Sequence, residues 1–169
     1  MFAIDYMSLA VATSLIALFV VPLYLHIRKT NRAKARAIKR LEGFAASQGL
    51  VFSDTEIWRN RYFLGLDRSK NILIYTNNLK ESAPICIELG SILRVSMIER
   101  YHEVVTKVEK RKVFDSIELH LITQDGRVAY RLEVYDGNRY SDLDGEAVLG
   151  RKWEQLLQQL HKSPNPSGN

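Results

Sequence analysis

The sequence predicts an α+β protein: N-terminal helical segments are followed by an antiparallel β-domain of about six or seven strands, which one amphipathic helix caps. Three observations predict this class. The first twenty-five residues contain a long uncharged run, and a run of cations follows it. From Leu50 onward, apolar and polar residues alternate as in half-buried strands. Near the C-terminus, apolar residues recur at helical spacing.

Composition and charge set limits on the function. The chain has 169 residues, of which 24 are Lys or Arg and 19 are Asp or Glu, and its 46% apolar content is that of an ordinary globular protein. Residues 41–169 carry 17 basic and 18 acidic residues, a net charge of −1. We expect no nucleic-acid partner, because a phosphate-binding face needs a basic surplus.

The first helical segment, residues 6–27, is predicted to be a transmembrane helix. Sixteen of the twenty residues from Tyr6 to Leu25 are apolar, and twenty helical residues span roughly 30 Å, the thickness of a bilayer core. A signal peptide would need a positive N-terminal region and a shorter apolar run, whereas here Asp5 precedes a long one. We therefore expect an uncleaved anchor with the lipid bilayer as a partner.

The second segment, residues 28–49, is predicted to be a basic juxtamembrane helix. By the positive-inside rule its cations place residues 1–5 outside and the rest of the chain in the cytoplasm, as a single-pass protein of the inner membrane. These cations either contact anionic head groups or only fix topology, and both readings remain open. The residues that would contact the membrane surface are Arg28, Lys29, Arg32, Arg36, Lys39 and Arg40.

The β-domain is predicted from alternating patterns separated by turn residues. Asp125-Gly126 predicts a two-residue type I′ turn between strands that alternate inward from Ile117 and from Val128. The charged segment Glu103–Lys112 is predicted to be a loop or an exposed edge strand. The other predicted strands are 57–66, 72–76, 85–89 and 92–97.

The C-terminal helix is predicted from about Leu143 to His161, and residues 163–169, rich in Pro, Ser and Asn, are predicted to be a disordered tail. Its apolar face should pack on the sheet. The residues of that face are Leu149, Trp153, Leu156, Leu157 and Leu160.

Several segments carry a resemblance to a known kind of protein. They are Trp58 with Phe63-Leu64-Gly65-Leu66-Asp67, Ile87-Glu88-Leu89, Ile117-Glu118-Leu119, and Gly145-Glu146 with Leu149 and Lys152-Trp153. With these segments the chain resembles uncharacterised bacterial single-pass membrane proteins that carry a cytosolic pleckstrin-homology-like (PH-like) domain. The resemblance implies a PH-like barrel or sandwich over residues 50–162, with a helix covering one open end.

The resemblance implies a binding role, since PH-like domains include both lipid-head-group binders and protein-interaction modules. We expect a non-catalytic docking or scaffold module for a membrane-associated protein. The alternatives are a sensor of anionic lipid head groups and an enzyme of unrecognised class. Head-group or partner contacts would come from Arg59, Arg61, Arg68 and Lys70, and structural roles are expected for Trp58, Gly65, Asp125, Gly126 and Trp153.

The sequence contains no pattern typical of a catalytic, metal or cofactor site. The four histidines have no partner at metal-ligand spacing, and Cys86, the single cysteine, is expected to be a small buried residue. The acidic residues between Asp142 and Glu146 are expected to favour a helix N-terminus rather than bind calcium. Docking is expected at the edge Val95–Met97 and at Glu103–Lys112, and homo-oligomerisation is left open.

Overall fold

A computed structural model describes residues 6–79, 83–105 and 110–162. The predicted extracytoplasmic residues 1–5 and the predicted tail 163–169 lie outside this described part. The chain divides into two compact units, with the boundary between Ser47 and Gln48. Each unit is therefore described by itself.

The first unit is one helix, α1, which runs from Tyr6 to Ser47 and contains Pro22. The sequence predicted two helices, 6–27 and 28–49, but the structure joins them, because no glycine or proline lies between Pro22 and Gly43 to interrupt the helix. Within the described residues, no helix combines the length and the apolar character needed to cross a membrane.

The second unit contains two antiparallel sheets. The first has the order β1-β2-β3-β4 and the second β5-β6-β7. A 3-10 turn, Leu89–Ser91, joins them, and helix α2 (Glu146–Lys162) follows β7. The strands are β1 (Asp54–Trp58), β2 (Tyr62–Asp67), β3 (Ile72–Thr76), β4 (Ile85–Glu88), β5 (Ile92–Val105), β6 (Lys110–Thr123) and β7 (Val128–Asp136).

The α+β class and the capping helix are confirmed, but the sheets do not close into a barrel. The 3-10 turn separates β4 from β5, and within the described residues no pairing joins β1 to β7. Instead, side chains of both sheets and of α2 share one core. Trp58 connects the two sheets directly, since its Nε1–H donates to the carbonyl oxygen of Val134 at 2.8 Å.

The segment 57–66 was predicted to be one continuous strand, but in the structure it is divided between β1 and β2, which form a hairpin. Arg59 and Asn60 both have positive φ (51° and 50°), and the Arg61 N–H donates to the Trp58 carbonyl oxygen at 3.1 Å. The chain therefore reverses between Trp58 and Tyr62 in a turn without glycine. Residues 54–58 and 62–67 become neighbouring strands instead of one.

The β6–β7 hairpin is confirmed, but its turn is of another type. A type I′ turn needs positive φ at both central residues, whereas only Gly126 is left-handed (φ 79°) and Asp125 is not. The Gly126 N–H donates to the Thr123 carbonyl oxygen at 3.0 Å, which fits a type I turn followed by a left-handed glycine.

The core confirms most of the predicted apolar faces. Helix α2 buries Trp153 and Leu157 fully, and Leu149, Leu156 and Leu160 pack partly against the same cluster. Gly65 is needed at its position, since a Cβ there would lie 2.7 Å from the rings of Phe52 and Phe63. In β7, Leu132 and Val134 are buried as predicted, but Val128 and Tyr130 are exposed (40% and 37%), beyond a register shift at Leu121 and Ile122.

Candidate protein-interaction site

The four predicted head-group contacts do not form one cluster. Arg59 and Arg61 lie in the turn before β2, whereas Arg68 and Lys70 lie in the turn after it. Arg68 follows Arg61 by seven positions of mostly extended chain, which is roughly 23 Å at about 3.3 Å per residue. The structure therefore places two pairs of cations at opposite ends of one strand.

Arg59 is used inside the fold. Its Nε–H donates to the carboxylate of Glu146, its Nη2 donates to the Asp142 carbonyl oxygen at 2.5 Å, and its guanidinium lies 4.7 Å from the ring centre of Tyr140. Glu146 is only 2% exposed and also accepts the backbone N–H of Asp144. The hydrogen bond to Glu146 raises the pKa of Arg59. Arg59 thus ties the first hairpin to the start of α2.

The other pair of cations, Arg68 and Lys70, follows the buried carboxylate of Asp67 in the chain. Arg68 donates two hydrogen bonds to Asp54 (2.7 and 3.1 Å), and Lys70 has no ion-pair partner within the described residues. Asp67, 1% exposed, accepts the Val51 N–H (2.8 Å), the Lys70 N–H (3.0 Å) and the Ser69 hydroxyl (2.6 Å). Burial opposes ionisation of Asp67, but these hydrogen bonds outweigh it and lower its pKa.

A polar cluster lies where β2 meets β7. The Tyr62 hydroxyl donates to the Glu133 carboxylate at 2.6 Å, and Arg139 donates to the same oxygen at 3.3 Å. Burial and the hydrogen bond to Glu133 raise the pKa of Tyr62. Arg61 is half-buried, and in the described part of the chain its Nε has no hydrogen-bond partner.

Helix α2 occupies the edge of β5 that was predicted to dock a partner. The Met97 N–H donates to the Glu154 carboxylate at 2.8 Å, and the Gln158 amide donates to the Val95 carbonyl oxygen at 2.8 Å. The backbone groups of this edge are therefore already paired with side chains one helical turn apart. A neighbouring apolar groove of about 270 Å³ is lined chiefly by Leu89, Ile92, Leu93 and Leu157.

The other predicted docking segment forms a two-stranded ribbon, which we define as residues 101–105 of β5 and 110–114 of β6. It extends beyond β7, whose pairing with β6 ends at Ser116 opposite Asp136. Of the segment Glu103–Lys112, which was predicted to be a loop or an exposed edge strand, residues 103–105 and 110–112 are exposed strand residues, and residues 106–109 lie outside the described part. Tyr101 lies opposite Phe114, and the Lys112 ammonium lies 3.4 Å from the centre of the Tyr101 ring. Val104 and Val105 are exposed (40% and 66%).

A groove of about 530 Å³ runs along the β6 side of this ribbon. One wall consists of Arg111, Lys112, Val113 and Phe114, and the other consists of Tyr135 and the segment 141–143. Arg111 and Asp142 face each other across it at 3.4 Å, with both side chains 72% exposed, so their attraction is largely screened by water. Sequence reasoning did not find this groove, because residues distant along the chain form its two walls.

β7 leaves the sheet beside this groove. The Gly137 N–H donates to the Asp115 carbonyl oxygen at 2.8 Å, and a Cβ on Gly137 would lie 2.8 Å from the Phe114 carbonyl oxygen. Past this close approach, no described strand pairs with the outer edge of β6 over Lys110–Phe114. The ribbon and its groove thus combine an unpaired strand edge, three cations and partly exposed apolar side chains.

The predicted membrane-surface cations of α1 are all exposed, from Arg28 to Arg40. Arg28 lies 5.8 Å from the centre of the Tyr24 ring, and the Arg36 Nε–H donates to the Arg32 carbonyl oxygen at 3.4 Å. The large apolar side chains from Leu15 to Ile27 on the same helix are all at least half exposed.

Metal-binding and nucleophilic groups are scattered. Across residues 6–79, 83–105 and 110–162, no three His, Cys, Asp or Glu side chains are grouped to hold a metal ion. The His120 ring lies 2.6 Å from Glu118. Cys86 was expected to be buried but is exposed, because β4 is the outer strand of its sheet. Neither a protein-family model, nor a curated protein, nor a solved structure shows a significant match to this chain.

Proposed function

We propose that this chain is a non-catalytic docking module that presents its second unit to a protein partner at a membrane. The ribbon of residues 101–105 and 110–114 carries this proposal. Its strands continue past the end of β7, so most of its side chains add little to the shared core. Exposed apolar residues and an unpaired strand edge are costly features for a protein surface unless a partner covers them.

The membrane location is part of the proposal and rests on the sequence of α1. Apolar side chains on all sides of one helix favour an apolar surrounding, and the exposed residues Leu18, Phe19 and Leu25 have none within their own unit. The cations from Arg28 onward would then lie at the cytoplasmic surface. Alkaline carbonate extraction of cell membranes tests this step, since a peripheral protein would be released and a spanning one retained.

The PH-like assignment is also proposed. An antiparallel four-stranded meander, a three-stranded meander and one closing helix support it. The alternative function, recognition of anionic head groups, receives less support. Its four expected cations lie at two ends of β2, and two of them, Arg59 and Arg68, already bind carboxylates of the same chain.

In-cell crosslinking followed by affinity purification tests the docking role. The full chain is compared with residues 1–47 alone and with a ribbon-shortened variant, in which Asn-Gly joins His102 to Val113, two residues that lie opposite each other. We expect one stoichiometric protein partner for the full chain and none for residues 1–47. Recovery of anionic lipid without any protein would instead support the head-group sensor.

The ribbon-shortened variant separates docking by the ribbon from docking elsewhere. It keeps the Tyr101–Phe114 pair and all of the shared core, so it should fold. Loss of the partner together with an unchanged unfolding transition would support the proposal. Retention of the partner would place docking on another surface.

A further inference from the structure

We propose that the outer edge of β6 over Lys110–Phe114 binds an extended acidic segment of the partner as an added β-strand. This inference rests on the proposed docking function and names the chemistry of the partner. Three features carry it: the strand edge is unpaired, three of its side chains are cationic, and Val113 and Phe114 add apolar surface to it. Each feature restricts what can bind.

The unpaired edge selects an extended chain. β7 pairs with β6 only as far as Asp136, and the Gly137 N–H makes one further backbone hydrogen bond, to the Asp115 carbonyl oxygen. Five residues of β6, about 16 Å of strand, continue with no described strand paired to this edge. Backbone N–H and C=O groups on such an edge bind a strand through main-chain hydrogen bonds. The added strand would continue the line of β7.

The charge of the edge selects an acidic segment. Lys110, Arg111 and Lys112 follow one another and are all exposed, whereas residues 41–169 as a whole carry a net charge of −1. The nearest opposing carboxylate across the groove, Asp142, is 3.4 Å from Arg111, and water screens this exposed pair. A partner carboxylate can therefore replace Asp142 at little cost.

The two faces of β6 differ, and they favour an alternating partner strand. Successive side chains of a strand point to opposite faces, so Lys110, Lys112 and Phe114 share one face and Arg111 and Val113 the other. Lys112 contacts the Tyr101 ring on the first face, and Val113 is half-buried on the second. A segment that alternates Glu or Asp with Val, Ile or Leu would place its carboxylates beside Lys110 and Lys112 and its apolar groups beside Val113.

A second copy of the chain fits this edge poorly. Two β6 edges side by side would bring Lys110, Arg111 and Lys112 of one copy against the same cations of the other. Like charges directly opposite each other destabilise a strand pair. The edge is thus suited to a partner of opposite charge rather than to self-association.

The test uses the full chain, purified in a mild non-ionic detergent, and labelled seven-residue peptides. One peptide alternates Glu with Val, a second alternates Lys with Val, and a third is the Glu-Val peptide with every second backbone nitrogen methylated. We expect saturable binding of the Glu-Val peptide by fluorescence anisotropy, and at least roughly tenfold weaker binding of the other two. The methylated peptide keeps its charge but loses the hydrogen bonds of one edge.

Charge-reversed variants locate the site. Lys110→Glu with Arg111→Glu should weaken binding of the Glu-Val peptide roughly tenfold or more, since two attractions become repulsions. The matched control, Arg94→Glu with Arg127→Glu, reverses two exposed arginines away from the ribbon and should change binding less than about twofold. Thermal unfolding of both variants should match that of the unchanged chain.

Three results would overturn the inference: equal binding of the Glu-Val and methylated peptides, equal loss in the two charge-reversed variants, or binding of anionic vesicles or DNA with no peptide binding. The proposed docking function is tested separately by partner capture. If the full chain captures a protein partner that the Lys110→Glu, Arg111→Glu variant captures equally well, this inference fails and docking stands. If no partner is captured by either, docking itself fails.

Discussion

The indole of Trp58 donates a hydrogen bond of 2.8 Å to the carbonyl oxygen of Val134, and so joins the last residue of β1 to the outer strand of the second sheet. The two residues are 76 positions apart in the chain. The indole also stacks on Tyr62, with ring centres 5.1 Å apart. This one side chain therefore contributes both to the packing of the first hairpin and to the contact between the two sheets.

Replacing Trp58 by Phe should lower the free energy of unfolding by about 1–3 kcal/mol, because it leaves the Val134 carbonyl oxygen without a partner and removes part of a packed ring. Urea unfolding of the purified chain, followed by far-ultraviolet circular dichroism, measures the change. Tyr130→Phe is the control, since Tyr130 is 37% exposed, and it should change stability by less than about 0.5 kcal/mol. Equal effects would mean that the indole hydrogen bond is unimportant.

The Arg59–Glu146 ion pair should contribute much more to the free energy of unfolding than the Arg68–Asp54 ion pair. Arg59→Ala leaves the carboxylate of Glu146, 2% exposed, without its cation. Removing one partner of such a buried pair costs about 3–5 kcal/mol, whereas water largely screens the attraction within an exposed pair.

Arg68→Ala is the matched control, since the side chains of Arg68 and Asp54 are 49% and 31% exposed. Urea unfolding measures how much each variant, Arg59→Ala and Arg68→Ala, lowers the free energy of unfolding. A similar loss in both would show that the buried carboxylate is solvated or protonated in the variant, contrary to expectation.

The sequence predicted the apolar pattern well and the chain reversals less well. Alternation from Ile117 to Leu121 and the helical spacing of Trp153 and Leu157 identified buried residues, because burial leaves a period in the sequence. The turn at Arg59 and Asn60 left no such signal. Two left-handed residues without glycine are uncommon, and the contacts of Arg59 with Glu146 and Tyr140 help to hold them.

The candidate site shows the same limit. The sequence indicated that Glu103–Lys112 is exposed and charged, and its described residues, 103–105 and 110–112, are all exposed. It also indicated that Val95–Met97 is an edge, but it did not reveal that Glu154 and Gln158 of α2 pair with that edge. Such contacts depend on how distant elements pack, and a single sequence does not encode them as a local pattern.

The second unit should lose stability in acid partly through Asp67. Burial opposes its ionisation, but hydrogen bonds from Ser69, Val51 and Lys70 hold its pKa below the ordinary value of 3.8. As pH falls through that value, the unfolded chain takes up the proton first, so unfolding becomes more favourable until the folded carboxyl is also protonated. The stabilisation by the Asp67 carboxylate is therefore complete above its unfolded pKa and is lost progressively as pH falls through its lower folded pKa.

Asp67→Asn should lower stability at neutral pH and flatten its decline in acid, so that the difference from the unchanged chain narrows as pH falls. Urea unfolding at a series of pH values measures this. Asp142→Asn removes one exposed carboxylate, 72% accessible, and serves as the control. A constant difference between Asp67→Asn and the unchanged chain across the series would contradict the expected role of the carboxylate charge.

Gly137, the residue that follows β7, should tolerate an added methyl group poorly. An added Cβ would lie 2.8 Å from the Phe114 carbonyl oxygen and 2.9 Å from that of Asp115, both of which belong to backbone that cannot rotate away. Gly137→Ala should therefore lower the free energy of unfolding by about 1–3 kcal/mol, as overpacking does, and should move β7 away from β6 where the ribbon begins.

At Gly90 a Cβ would meet nothing within 4 Å, so Gly90→Ala is the control and should be nearly neutral. Urea unfolding compares the two, and amide hydrogen exchange at Asp115 and Ser116 should accelerate only in Gly137→Ala. Unchanged exchange of the Asp115 and Ser116 amides in Gly137→Ala would show that the close approach of Gly137 does not determine where β7 separates from β6.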